Sequence, residues 1–305
     1  MQPLIDIGKK IKPIGFSGLS LYDVAIFFWK GLIEGAITTR ASSLAFNFFL
    51  AFFPSIIALF TLIPYIPING LQATLMEIIA TVLPPSTNEV TFATLDDIIN
   101  NPRGGLLSIG FILALYFSTN GINSLIEAFN TSYHIRESRP LIQQRMLSLA
   151  LTLLLSVMLF IAIGLIIFGT LLVNYLEVNE IITTNAADLI TYGKWLVMLA
   201  MLFFGISTLF HLGPAMKSKW KLFSPGSIFA TTFIIMTSIV FNFYIQHFSQ
   251  YNKIYGSIGT LMIILLWMYF NAIILLTGFE LNASISNAKE KSENNKSLDV
   301  KKKER

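Results

Sequence analysis

SIGTLMIILLWMYFNAIILLTGFELNAS, Ser257 to Ser284, carries a single charged residue, Glu280. A helix needs roughly 20 apolar residues to cross a hydrocarbon core of about 30 Å at 1.5 Å per residue, and this stretch has more than enough. Its composition is shared by the chain at large. Of 305 residues, 54% are hydrophobic and 12% are charged, with mean hydropathy +0.67. Soluble domains carry about a quarter charged residues, so the sequence is that of a membrane protein. Strand-length alternation is absent, which points to helices and away from a barrel.

Five further runs have the same character, giving six expected spans: about 41–66, 105–129, 146–176, 192–212, 225–249 and 257–284. Ahead of them, Leu21, Val24, Ala25, Phe28, Leu32 and Ala36 recur at i, i+3, i+4 spacing, with Asp23, Lys30 and Glu34 off that line. This predicts an amphipathic helix in the membrane interface or under the bundle. The fold class is therefore all-α and polytopic: six transmembrane helices, an N-terminal amphipathic helix and a small helical extracytoplasmic loop. That loop, about 67–104, contains LQATLMEIIATVL before Pro84-Pro85, and its spacing predicts a short helix. The expected organisation is an N-terminal segment 1–40, a six-helix domain 41–284, and a tail 285–305 that is basic, lacks apolar periodicity and reads as disordered.

Basic residues set the expected orientation. Lys9, Lys10, Lys12, Lys30 and Arg40 precede the first span; Arg136, Arg139 and Arg145 follow the second; Lys217, Lys219 and Lys221 follow the fourth; and the tail holds seven more. The alternate loops hold Arg103 and Lys253 among several acids. Both termini are thus expected in the cytoplasm, in a multi-pass protein of the cell membrane. The N-terminus MQPLIDIGKKIKPIGF has no apolar h-region and is expected to be retained rather than cleaved.

The absence of cysteine excludes disulfides, thiol chemistry and cysteine-ligated metals. His134, His211 and His247 stand too far apart for a helical two-histidine metal motif, and no G-x-x-x-x-G-K-[ST] loop occurs. No cofactor, metal site, catalytic constellation or nucleic-acid partner is implied.

The informative residues are polar ones inside apolar spans. On the sixth span Thr260, Trp267, Asn271, Gly278 and Asn282 fall within about 40° of one line, with Glu280 opposite Asn271. A helix polar on two faces is expected to be surrounded by protein. The second span carries a stripe of Tyr116, Asn120, Ser124, Glu127 and Thr131, flanked by Asn123. The first aligns Arg40, Ser43, Asn47, Ala51 and Pro54, and the fifth aligns Thr231, Ser238, Asn242, Gln246 and Ser249. Pro54 removes a backbone hydrogen bond and is expected to kink the first span. Glu127, Glu280 and Arg40 reach the same depth near the cytoplasmic face, which predicts a charge cluster there. Arg40 is the first candidate partner for Glu280, and Arg136, Arg139 or Arg145 the next. Asn47, Asn120, Asn123, Asn242, Trp267, Asn271 and Asn282 are the candidate lining of a substrate pathway. The competing reading makes the same amides interhelical glue, worth about 1 kcal/mol each.

The stretches RASSLAFNFFLAFFP (40–54), YFSTNGINSLIEAFN (116–130), the PGS at 225–227 and YGSIGTLMIILLWMYFNAIILLTGFELNA (255–283) together resemble the YihY/BrkB family of bacterial integral membrane proteins. Tyr255, Gly256, Trp267, Gly278, Glu280, Asn282 and Ala283 match the family pattern, while Phe279 stands where many members carry alanine. The resemblance implies a six-helix membrane fold in the bacterial cytoplasmic membrane and leaves function open. Some members bear the label ribonuclease BN, yet RNA cleavage needs a clustered carboxylate/histidine site or an acid-base pair. The scattered acids and isolated histidines here do not supply one. Polar stripes, a proline in the first span and phenylalanine-rich walls point to a transporter or translocator of a hydrophobic or amphipathic, lipid-like substrate. The alternative is a non-catalytic structural or partner-binding membrane protein. Membrane lipids are the expected partners, with a homo-oligomer or an unidentified membrane partner left open.

Overall fold

The computed structural model describes residues 11–13, 15–16, 18–62, 104–132, 139–179, 184–215, 223–247 and 257–303. Among them the regular structure is entirely helical: α1 Leu21–Glu34, α2 Ile37–Leu62, α3 Gly104–Ser132, α4 Leu141–Val178, α5 Thr184–Leu212, α6 Pro225–His247 and α7 Ser257–Lys303. Six of these, α2 to α7, are long and apolar enough to cross a membrane. The short helix expected within 67–104 lies outside the described residues, as do His134 and Arg136.

Helix boundaries follow local chemistry. Ser20 caps α1: its Oγ accepts from the Asp23 N–H at 3.1 Å and donates to Asp23 Oδ2 at 2.6 Å. Gly35 closes α1 through its N–H to Gly31 O at 2.9 Å, and Ala36 takes the left-handed φ of +45° that turns the chain into α2. Glycine usually occupies that left-handed position. Here the glycine stands one residue earlier, because a Cβ on Gly35 would lie 2.6 Å from Arg40 Nη2. At α6, Ser224 accepts the Ser227 N–H at 3.1 Å and Pro225 takes the first helical position, where its missing N–H costs nothing. Helix α2 is continuous through Pro54.

Packing divides the chain into two units, Phe46–Gly121 and Met1–Ala45 with Ile122–Arg305. In the first, α2 and α3 meet through small residues: a Cβ on Gly110 would lie 3.1 Å from Ile57 Cγ2, and one on Gly121 3.0 Å from the Phe48 ring. Close approach through glycine is the usual mode where lipid supplies no hydrophobic drive between helices. In the second unit, α7 packs on α6 and α1, α4 on α5, and α5 on α6. Its centre is a phenylalanine triad. Phe129 and Phe279 stack at 4.1 Å, and Phe210 meets them edge-on at 5.5 and 5.4 Å. All three rings are buried. Phe279, the departure from the family pattern, is therefore a core residue.

Two expectations are corrected. The segment expected to be a disordered tail continues α7 as helix to Lys303. Ile285 and Ala288 are buried with Phe16 and Val24, against Leu19, Phe27 and Leu281, and Lys291 Nζ lies 5.6 Å from the Phe27 ring centre. The early tail thus buries one apolar line on α1, and with the helix already nucleated each further residue adds a backbone bond, which the lysines and glutamates beyond Ala288 tolerate well. Second, the buried line of α1 is not the one predicted. Val24 and Gly31 are buried and Phe27, Phe28 and Leu32 half-buried, while Leu21 and Ala25 are exposed. Tyr22, Ile26, Trp29 and Ile33 make α1 apolar on its other side too, and a single-stripe pattern does not describe it.

Candidate functional site

Arg40 sits in the first turn of α2, and its guanidinium ties several helices together. Nη1 donates to Ala128 O at 2.7 Å and to Ser132 Oγ at 3.0 Å, both in the closing turns of α3. A cation at a helix C-terminus also meets the negative end of the macrodipole. Nη2 faces Glu280 Oε2 of α7 at 3.9 Å, an ion pair without a direct hydrogen bond. Arg40 is nearly buried and Glu280 is 3% exposed. The pair is covered by α1, because Gly31 lies directly against the Glu280 carboxylate and Gly35 against Arg40. A side chain at either glycine would enter the space of the pair. The residues next in sequence to Ala128 and Glu280 are Phe129 and Phe279, so the stacked rings sit within one turn of the pair on α3 and α7. Ser284, one turn beyond Glu280, is fully buried, and its Oγ has no hydrogen-bond partner among the described residues.

The expected cluster of three charges is thus a pair. Glu127 is exposed on α3 and its Oε1 accepts from Asn123 Nδ2 at 2.7 Å in its own helix. It shares a depth with Arg40 but points to another side of α3, whereas Ala128 and Ser132 face Arg40. Arg139, a second candidate for Glu280, donates instead to Gly213 O at 2.8 Å, just past α5. Arg145 is exposed on α4.

The candidate pathway residues separate into three kinds. Asn123 and Asn282 bind across helices. Asn123 Oδ1 accepts from Gln144 Nε2 at 2.9 Å and Ser148 Oγ at 3.4 Å on α4. Asn282 Oδ1 accepts the Gly226 N–H at 2.8 Å and its Nδ2 donates to Ser224 Oγ at 2.9 Å, so it completes the cap of α6. Gly278 and Gly226 allow this approach, since a Cβ on Gly278 would lie 2.8 Å from Gly226 O and 2.9 Å from Ala230 Cβ. Asn47 and Asn120 belong to the 46–121 unit, half-buried, and neither is a free amide.

Asn271, Trp267 and Asn242 are the third kind. Asn271 Nδ2 donates to Trp267 O at 2.7 Å in its own helix, and its buried Oδ1 has no partner among the described residues. Trp267 and Asn242 are exposed. Contacts of Gly226 with Asn282 and of Gly278 with Ala230 set α6 and α7 antiparallel, which brings Asn242 level with Leu266 and Trp267. The hydroxyls of the fifth-span stripe are satisfied locally: Thr231 donates to Ser227 O and Ser238 to Ile234 O, each at 2.8 Å.

Sequence reasoning missed Gly31 and Gly35, although their G-x-x-x-G spacing marks a helix face open to close contact. It also missed Ser224 and Ser227 at the α6 cap.

Six helices long and apolar enough to cross a membrane among the described residues, with a buried charge pair between α2 and α7, define a polytopic membrane protein. The chain belongs to the family described as virulence factor BrkB, whose family model matches residues 28–303. It is similar to the ribonuclease-like protein YfkH of Bacillus subtilis, 29% identical over 261 residues that cover 84% of this chain and 93% of the relative. It is also similar to a UPF0761 membrane protein of Haemophilus influenzae, 25% identical over 279 residues covering 90% and 99%. Another UPF0761 membrane protein, from Coxiella burnetii, is 28% identical over 257 residues covering 83% and 89%. No solved structure matches the chain.

Proposed function

We propose that this protein is a translocator of a lipid-like amphiphile in the bacterial cytoplasmic membrane, with both termini in the cytoplasm. The observation that carries the reading is the Asn271 amide. A buried polar atom without a partner is costly in an apolar span, and an amide retained as packing glue bonds to a neighbouring helix. Asn271 bonds only within α7 and leaves Oδ1 unmatched among the described residues. Asn242 and Trp267, exposed and level with each other, add polar and amphipathic groups on the outer surface of α6 and α7, where a lipid headgroup can reach them from the bilayer. The orientation rests on the lysine and arginine bias.

Two experiments test this. Protein reconstituted in vesicles is assayed with headgroup-labelled phospholipids and small amphiphiles, and movement of at least one class above protein-free vesicles is expected. Transport of none of them would sink the reading. For orientation, a cysteine replacing Asp96 should react with an impermeant thiol reagent on whole cells and one replacing Lys301 should not; the reverse pattern would overturn it.

The second reading, a non-catalytic scaffold, is favoured by Asn123 and Asn282, whose bonds join α3 to α4 and α7 to α6. It predicts a protein that moves nothing and whose polar-to-apolar variants all lose stability. The ribonuclease-like name of the B. subtilis relative suggests a third outcome, RNA cleavage by the purified protein, which the translocator reading does not expect.

A further inference from the structure

Among the described residues, the outer side of α1 carries large apolar side chains in the open. Trp29 is 66% exposed, Ile33 65% and Ile26 49%. With Tyr22, Ala25 and Lys30 they line one open groove along the helix. At 100° per residue, Trp29 and Ile33 each stand about 200° from Gly31, so the groove lies opposite the glycine face seated on Arg40 and Glu280. Helix α1 ends at Glu34 and the first spanning helix begins at Ile37. Two intervening residues span at most about 7 Å, which fixes the end of α1 at the level where the bilayer begins. Tryptophan and tyrosine are the residues that favour that level, and an apolar face beside a lysine fits acyl chains next to a phosphate.

We propose that this groove binds an anionic phospholipid, with its acyl chains along Ile26, Trp29 and Ile33 and its phosphate on Lys30. The bound lipid presses the glycine face of α1 onto the ion pair. The proposal is independent of the translocation reading, since it needs only that α2 crosses the membrane.

The test uses protein in which Trp195, Trp220 and Trp267 are replaced by phenylalanine, leaving Trp29 as the reporter, reconstituted with brominated lipids. Brominated phosphatidylglycerol should quench Trp29, with an apparent affinity about fivefold above that of brominated phosphatidylcholine, the worth of one lysine at an anionic surface. Lys30→Gln should remove the preference while keeping the quenching, and Arg145→Gln, an equal loss of charge on α4, should leave it intact. Equal quenching by both lipids, or a preference that survives Lys30→Gln, overturns the assignment of the phosphate. No quenching overturns the groove itself and assigns the face to a protein partner or a second copy. Native mass spectrometry of the otherwise unaltered protein tests the same assignment without the tryptophan changes: phosphatidylglycerol should be retained over phosphatidylcholine, and the excess should be lost in Lys30→Gln.

Discussion

The Arg40–Glu280 pair and the Asn271 stretch of α7 treat polar groups in opposite ways. At the first, one guanidinium bonds two residues of α3 and faces a carboxylate of α7, and the pair is covered by Gly31 of α1 and its cap Gly35, with the stacked phenylalanines next in sequence. At the second, an amide bonds its own helix and leaves an oxygen unmatched among the described residues, beside an exposed tryptophan. The same helix therefore holds a polar group that organises its neighbours and, about two turns away, one that does not. Polarity in a span is not one signal. What separates packing from function is whether the partner belongs to another helix.

That contrast can be broken most severely at the triad. Phe129→Ala removes the ring that stacks on Phe279 and meets Phe210, and should cost about 3–5 kcal/mol in thermal or denaturant unfolding in detergent. A loss below about 1 kcal/mol would mean that this region is not the packed one. Glu280→Gln comes next, at about 3 kcal/mol, because it leaves Arg40 buried beside a neutral group. Adding Arg40→Gln should recover part of the loss; strictly additive effects would show that the pair is not coupled. Asn282→Leu should cost about 1–2 kcal/mol by uncapping α6 and should leave the activity of the remaining folded protein unchanged. An unaltered melting temperature would move Asn282 from the packing class to the pathway class.

Much of this is readable from the chain. The spans follow from hydropathy, and the observed helices α2 and α4 start only a few residues earlier than expected. Depth and sign make Arg40 the first candidate partner for Glu280, because opposite charges at one level of the membrane favour pairing. Depth does not give azimuth, and for that reason the sequence places Glu127 in the cluster although it faces away on α3. The role of Asn282 is hidden for a related reason. Its stripe on α7 is real, but which helix sits over that stripe depends on the approach of Gly226 and Gly278, two small residues far apart in sequence. The helical start of the tail escapes notice because Ile285 and Ala288 are too few to make a periodic pattern, yet enough to bury against Val24 and Phe16.

The sharpest test of the contrast is a parallel measurement of phospholipid movement and melting temperature for wild type and Asn271→Leu in the same vesicles. Leucine is close to asparagine in size and removes an oxygen that has no partner among the described residues, so stability should stay within about 1 kcal/mol of wild type or rise. Movement of the amphiphile should be lost. Wild-type movement in Asn271→Leu, or a fall in melting temperature that accounts for the lost activity, would contradict the assignment of Asn271 to function rather than packing.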